Sequence, residues 1–404
     1  MPLHHVKQLE ERYLLGTYNR YNILVDRGSG AWLIDRQNRR YLDLLAGIGV
    51  NALGYSHPRL LQILRKQIKR PLHVSNLLYH EYQGRLAERL AGISGLDRVF
   101  FTNSGTESVE ACLKLARVYA NREEPTPRKY RILAVEGSFH GRTFGSLSAT
   151  WEPRYREPFE PLVPGFEFVR FNDVDHLEER FGDDVAAVIL EAIQGEGGVR
   201  PISEAFYRCA RRLSREHGAA LIADEVQCGL GRTGRWLAVH KFASPEARDD
   251  LPDLVPLAKP LGGGIPLGAV LMKDEVARCF GQGLHGSTFG GSPLACRLSL
   301  EMLKIIEEDG ILEHVRDAGG KLLRQLDRLR GLPGVVEVRG EGLMLGVQMT
   351  EPCRPLVDRL IGEGFITNCT RQTVLRLLPP LIVRHKQLDK FVAVLRRLLE
   401  EPAS

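Results

Sequence analysis

The sequence predicts an α/β fold: a large domain on a mixed, mostly parallel sheet, joined to a smaller α+β domain. Three observations carry this. Between about residue 80 and residue 300, apolar runs alternate with amphipathic stretches, the pattern of strands linked by helical crossovers. The runs themselves are nearly continuous rather than alternating, as in "VAAVILEAI" and "AALIADEV", which suits strands covered on both faces. Beyond about residue 300 the texture changes to long helical stretches with a few isolated strand-like segments.

Taken in order, "GAWLIDRQNRRYLDLL" reads as a hairpin, two apolar-rich strands around a polar turn. "RVFF" is a strand that ends in a glycine-containing loop and passes into helix-like "TESVEACLKLARVYA". In that helix Val109, Cys112, Leu113, Ala116 and Tyr119 fall on one face. Strands "YRILAVE" and "VAAVILEAI", the helix "SEAFYRCARRLSREHG", then strands "AALIADEV", "DLVPLA" and "LGAVLM" complete the large domain. The helical stretches "SPLACRLSLEMLKIIEE" and "KLLRQLDRLR" follow, then strand-like "VVEVRGEGLMLGVQM", strand "VLRLLPPL" and the closing amphipathic helix "LDKFVAVLRRLLEE". The expected organisation is an N-terminal segment, 1–46, packing with the small domain; a large domain, 47–300; and a small C-terminal domain, 301–404.

Composition narrows the function. The chain has 404 residues, 43% apolar and 26% charged, within the ordinary globular range. Its net charge of +5 comes from 55 basic and 50 acidic residues that are interspersed, with no basic arm or stripe, so no nucleic-acid partner is expected. No apolar run approaches the ~18–20 residues of a membrane span, and "MPLHHVKQLEERYLL" lacks the apolar core of a signal peptide. Seven scattered cysteines without a CxxC point to a reduced cytoplasmic chain with buried thiols and no metal site.

Ligands of open α/β sheets gather outside the carboxyl ends of the strands, and the unusual residues fall there. In "FFTNSGTES", Ser104, Gly105 and Thr106 lie where a strand passes into a helix, an anion site by virtue of free backbone N–H groups. Ser104-x-x-Glu107 is equally a capping box. "SFHGRTFGS" offers Phe139 for stacking on a flat ring and Arg142 for a carboxylate; core packing and a solvated arginine are the plainer readings. In "LIADEVQCG", Asp224 closes an apolar strand, where an unpaired carboxylate is costly, so it needs a cationic partner. The following "GLGRTG" fits GxGxxG, but no helix opens after it and the dinucleotide reading is discounted.

Lys259, in "LAKPLGGGIPLG", ends the next apolar run. A buried lysine deprotonates readily, and the neutral amine forms Schiff bases with carbonyls. Bringing its pKa from ~10.4 toward 7 costs about 4–5 kcal/mol, which a fold supplies chiefly where chemistry needs it. An anion cradle, a stacking aromatic, a buried acid and a lysine at the ends of separate strands together match the phosphate, ring, pyridine nitrogen and aldehyde of pyridoxal 5′-phosphate.

At these motifs the sequence resembles the class-III (ω-) aminotransferases of fold type I, on the acetylornithine branch. The resemblance runs through "YLDLLAGIGVNALGYSHP", "HVSNLLYHEYQGRLAERL", "SFHGRTFGSLSAT", "ILEAIQGEGGV", "LIADEVQCGLGRTG", "HGSTFGGSPLAC", "VRGEGLMLGV" and "VLRLLPPL". It implies that Lys259 bonds the cofactor's aldehyde and that Asp224 pairs with the ring nitrogen. Gln227 would hydrogen-bond the ring hydroxyl, Val226 and Phe139 would sandwich the ring, and Ser104, Gly105 and Thr106 would hold the phosphate. Thr288 would reach the phosphate of a neighbouring subunit, implying a homodimer with shared active sites. For substrate it implies Arg376 for the α-carboxylate of glutamate or 2-oxoglutarate, Glu196 as the acid masking that arginine, Arg142 for the far carboxylate, and Ser287 and Asn76 as further contacts.

The implied activity is transfer of the terminal amine of N2-acetylornithine to 2-oxoglutarate. A succinylornithine, lysine-pathway or 4-aminobutyrate donor stands as the alternative, and a decarboxylase or racemase as a different class. Four positions depart from the family's habit: Pro260 after the lysine, Cys228, Ala192 and Ser292. Pro260 leads us to expect an extended Lys259. Ile48 stands where ornithine aminotransferases carry a tyrosine for the free α-amine, which argues for an acylated donor.

Overall fold

The computed structural model describes residues 1–123, 126 and 128–401. The N-terminal segment forms β1 (Val25–Ser29), β2 (Trp32–Asp35) and β3 (Arg40–Asp43). The large sheet comprises β4 (Arg98–Thr102), β5 (Arg131–Val135), β6 (Phe166–Val169), β7 (Val185–Glu191) and, after the short ribbon β8 (Ile193–Gln194) and β9 (Arg200–Pro201), β10 (Ala220–Asp224), β11 (Leu254–Leu257) and β12 (Gly268–Met272). The C-terminal part adds β13 (Val335–Glu341), β14 (Met344–Met349), β15 (Phe365–Ile366), β16 (Asn368–Thr370) and β17 (Val374–Leu377).

Strands of the large sheet are ordered β4-β12-β11-β10-β7-β5-β6. β12 alone runs against its neighbours, with Gly268 opposite Thr102 and Leu254 opposite Met272; β11, β10, β7, β5 and β6 are mutually parallel. Continuous apolar runs are required because the two faces bury different residues. Ile132, Ile189 and Ile222 pack with Val109, Cys112 and Ala116 of the helix Gly105–Ala120. The intervening Leu133, Val188 and Leu221 pack into the other core with Phe206 of the helix Glu204–Glu216. Each such side chain contributes roughly 1.5–3 kcal/mol, so a polar residue at either register would be expensive. All five residues expected on one face of the first helix are buried.

The N-terminal segment joins the C-terminal part by backbone hydrogen bonds: β15 pairs with β3 in parallel, and Leu378 N–H donates to the Leu44 carbonyl at 2.7 Å. Three expectations need correction. The edge strand β6 was not anticipated; it is short, and its partly buried residues lack the continuous apolar signature of the central strands. "VVEVRGEGLMLGVQM" is a hairpin, not one strand, because Glu341–Gly342–Leu343 turns the chain with Gly342 at φ +57°. The chain is not wholly reduced either: Cys353 and Cys369 form a disulfide with their Cα atoms 5.9 Å apart, while the other five thiols are free and four of them buried.

Candidate active site

A cavity of about 440 Å³ opens at the carboxyl ends of the parallel strands, lined by Ser104, Gly105, Thr106, Phe139, Arg142, Glu196, Asp224, Val226, Gln227 and Lys259 among others. The parallel topology brings these together: β4, β5, β7, β10 and β11 all end at this rim.

The end of β4 delivers the start of the helix Gly105–Ala120. Ser104 is its N-cap, the hydroxyl accepting from Glu107 N–H at 3.3 Å, while Glu107 accepts from Asn103 N–H at 2.8 Å. Ser104 therefore caps the helix, but the reciprocal half of the capping box is missing because Glu107 takes the Asn103 N–H rather than that of Ser104; the first N–H groups of the helix are left facing the cavity as an anion cradle. Gly105 is obligatory: a Cβ there would lie 2.8 Å from Val226 Cγ1. The Thr106 hydroxyl is fixed by Thr143 and Ser146 at 2.8 and 2.6 Å.

β10 ends at Asp224, 4% exposed. Its Oδ1 accepts from Val226 N–H at 3.0 Å and its Oδ2 lies 2.7 Å from His140 Nδ1. His140 Nε2 is buried without a hydrogen-bond partner among the described residues. In register beside Asp224 stands Glu191, which accepts from Phe139 N–H at 3.0 Å and Gly195 N–H at 3.1 Å. Burial pushes the Glu191 carboxyl up. The adjacent Glu225 accepts from the Ala238 and Val239 N–H groups, and its burial pushes it up to about 7.

Lys259 follows β11 at the cavity floor, where burial lowers its ammonium pKa. Its backbone is not extended: φ is +34°. Pro260 bars the right-handed helical region for the residue before it, and a chain that must turn at the strand end takes the left-handed side. Such a conformation costs on the order of 1–3 kcal/mol in a non-glycine residue. The glycines that follow serve conformation as well, with Gly263 and Gly264 at φ +61° and +101°.

Arg376, on β17, is wholly buried and does not line the cavity; Glu196, which does, covers it and forms the ion pair. Arg376 Nε donates to Asn368 Oδ1 and Nη1 to Gln227 Oε1, both at 3.2 Å. Burial works against ionisation of Glu196, but the Arg376 charge outweighs it and holds the carboxyl low. Gln227 Nε2 also reaches Glu196 at 3.4 Å, so Gln227 belongs to this pair as much as to a ring hydroxyl. Arg142 is exposed, its guanidinium 3.8 Å from the Tyr155 ring centroid and 5.3 Å from that of Phe139.

Besides Arg376, two residues expected to touch substrate, Asn76 and Ser287, do not line this cavity, and Thr288, expected at a neighbouring subunit's phosphate, lies beside them. Asn76 donates to the Ser287 and Gly290 carbonyls at 2.9 and 3.2 Å, the Ser287 hydroxyl accepts from Gly290 N–H at 3.0 Å, and Thr288 is exposed beside them. Asn76 thus pins the Ser287–Gly290 loop from a distant segment, and the Ser287 hydroxyl also accepts from Asn103 Nδ2 at 3.1 Å, a residue of the cavity wall. Conversely, sequence reasoning gave no role to His140, Glu191 or Tyr155. His140 lies 84 residues from Asp224, and no spacing rule joins them.

The residues fit pyridoxal 5′-phosphate part by part: a glycine-floored cradle of N–H groups, Val226 and Phe139 on the lining, a buried carboxylate held by its own hydrogen bonds, and a lysine whose burial favours the free amine.

The model of the family described as aminotransferase class-III matches residues 16–399. A protein of Aquifex aeolicus (strain VF5) named acetylornithine aminotransferase is 43% identical over 388 residues, covering 96% of this chain and 100% of that protein. One of the same name from Methanocaldococcus jannaschii is 40% identical, covering 97% of each. Among solved structures, the ornithine aminotransferase of Toxoplasma gondii ME49 superposes with a TM-score of 0.93 at 30% identity, covering 99% of this chain and 95% of that one. A second Toxoplasma gondii structure, described as having partial occupancy of PLP at the active site, scores 0.92 at 30% identity and covers 98% and 94%. The acetylornithine aminotransferase of Elizabethkingia anophelis scores 0.86 at 28%, covering 99% of each.

Proposed function

This chain belongs to the class-III aminotransferases, and from that membership we propose that it moves the terminal amine of N2-acetylornithine to 2-oxoglutarate, releasing N-acetylglutamate 5-semialdehyde and glutamate. Its cofactor is pyridoxal 5′-phosphate. The observation that carries the substrate reading is the covered arginine: Arg376 lies buried behind Glu196 while Arg142 stands exposed at the rim. One site must accept an α-keto dicarboxylate and, in the other half-reaction, a donor whose reacting end is an uncharged-flanked amine. An arginine that Glu196 can cover or release meets both demands, whereas a bare one would draw the wrong substrate end.

Bound in the cavity, pyridoxal 5′-phosphate supplies an aldehyde that takes up the donor amine and a ring that draws electrons from the carbon losing its proton. The first N–H groups of the helix Gly105–Ala120 and the Thr106 hydroxyl hold the phosphate, while Val226 and Phe139 flank the ring. Asp224, held in place by Val226 N–H and His140, would pair with the ring nitrogen. Lys259 would hold the cofactor at its aldehyde and, with its burial favouring the free amine, would serve as the base and acid that moves the proton of the donor's amine-bearing carbon. Arg142 grips the far carboxylate in both halves.

Ile48 supports an acylated donor. Its segment borders the site, where a Cβ at Gly49 would lie 3.9 Å from Lys259 Cδ and Val50 is on the cavity wall, and it offers no polar side chain to a free α-amine. A homodimer belongs to the same reading. Leu77 and Tyr79, 90% and 105% exposed, and Phe289, 61% exposed beside Thr288, are apolar groups suited to cover by a second copy.

The test is a donor panel with 2-oxoglutarate as acceptor. Acetylornithine should exceed ornithine in kcat/KM by at least about tenfold, the order expected when a buried site leaves a polar group unmet. Comparable values would overturn the donor assignment.

A further inference from the structure

Arg142 and Arg376 are held in opposite ways. Arg376 is fixed by acceptors; the Arg142 guanidinium has no hydrogen bond or ion pair among the described residues and instead lies over an aromatic ring, 3.8 Å from the Tyr155 centroid. Its backbone is tied to the phosphate cradle, Arg142 N–H donating to Thr106 Oγ1 at 3.3 Å. Tyr155 sits on the single turn Pro153–Arg156 and is itself fixed on other sides. Arg154 Nη2 donates to its hydroxyl at 3.2 Å, and Phe139 meets it edge-on, with centroids 6.2 Å apart at 86°.

A guanidinium lying on a ring face keeps its N–H groups pointing outward in its own plane, the geometry a carboxylate needs for two parallel hydrogen bonds. A carboxylate neighbour would orient the arginine equally well but would compete with the substrate for those donors. The aromatic face orients without competing.

We propose that Tyr155 is a specificity-determining positioning residue: its ring sets the plane of the Arg142 guanidinium so that the far carboxylate of donor and acceptor meets it edge-on. This rests on the assignment of Arg142 to that carboxylate.

The experiment measures binding of glutarate, an unreactive dicarboxylate, to the cofactor-loaded protein by fluorescence, alongside steady-state kinetics. Tyr155→Leu should raise the glutarate Kd and the KM for acetylornithine and 2-oxoglutarate about three- to thirtyfold, the range of a cation–π contact, with kcat within twofold. Tyr155→Phe should stay near wild type, and the first half-reaction of Tyr155→Leu with a simple alkyl amine lacking a carboxylate, measured in a single turnover without 2-oxoglutarate, should not change. Arg142→Ala should weaken glutarate binding, and adding Tyr155→Leu to it should weaken binding no further. If Arg142→Ala weakens glutarate tenfold while Tyr155→Leu leaves it within twofold, this inference fails and the Arg142 assignment stands. If Arg142→Ala leaves glutarate unchanged, the assignment itself fails. Should the leucine variant not fold, Tyr155→Gln, which keeps a polar group at this half-buried position, takes its place with the same expectations.

Discussion

At the ring end of the cavity, Asp224 and Glu191 are 4% and 5% exposed, sit in register on adjacent strands and spend their oxygens on backbone N–H groups and His140. At the carboxylate end, one arginine comes from a loop of the large sheet and stands exposed, and the other comes from β17 and lies buried behind Glu196. The ring end is therefore set by sheet register, which tolerates little change, while the other end is assembled from separate pieces of the chain. Chemistry common to a family sits well on the first and substrate choice on the second.

The strongest test of this contrast is Lys259→Ala. Loss of the proton-carrying amine should lower kcat by about a thousandfold or more in steady-state assays, while glutarate binding at the carboxylate end survives. A kcat within tenfold of wild type would move the chemistry away from the ring end.

Arg376→Ala separates the two arginines. It removes a wholly buried side chain but leaves Glu196 partly exposed on the cavity wall with Gln227 as its remaining partner, so it should reduce unfolding free energy by about 1–3 kcal/mol in denaturant titrations. Arg142→Ala, at an exposed position, should leave stability within about 0.5 kcal/mol. Equal effects on stability would erase the distinction between them.

The smallest expected effect probes the frame beneath the ring. Glu225 has its carboxyl raised to about 7 by burial, so the folded state holds this proton more tightly than the unfolded chain does. That contribution is complete below the ordinary carboxylate range and is lost as pH rises through about 7. Glu225→Gln removes the dependence. Between pH 5 and pH 8 the stability difference should shift in favour of the variant by about 2 kcal/mol; a flat difference would show that Glu225 ionises at its usual pKa.

Much of the ring end was legible in the sequence because each element announces itself locally. Asp224 and Lys259 interrupt apolar runs, and Ser104-x-x-Glu107 marks a helix start that is also a cradle. What stayed hidden depends on contacts between distant segments. His140 meets Asp224 only because β5 and β10 end at one rim, and Tyr155 reaches Arg142 from a turn that carries no motif. The disulfide joins the start of one helix to β16, a pairing that spacing does not specify. Lys259 was expected extended because Pro260 forbids one region of backbone space; the fold's need to turn at the end of β11 chose the other.

The strand β12 has a kinetic corollary. It is wedged between β4 and β11, with Gly268 opposite Thr102. A chain emerging from the ribosome at about 5–20 residues per second has made β4 on the order of ten seconds before β12 exists to cover it. Through that interval β4, at the end of the sheet with β12 as its partner, carries Phe100 and Phe101 with both edges unpaired. The newborn chain is then most open to aggregation or chaperone capture, and the interval closes only after Lys259 has been synthesised.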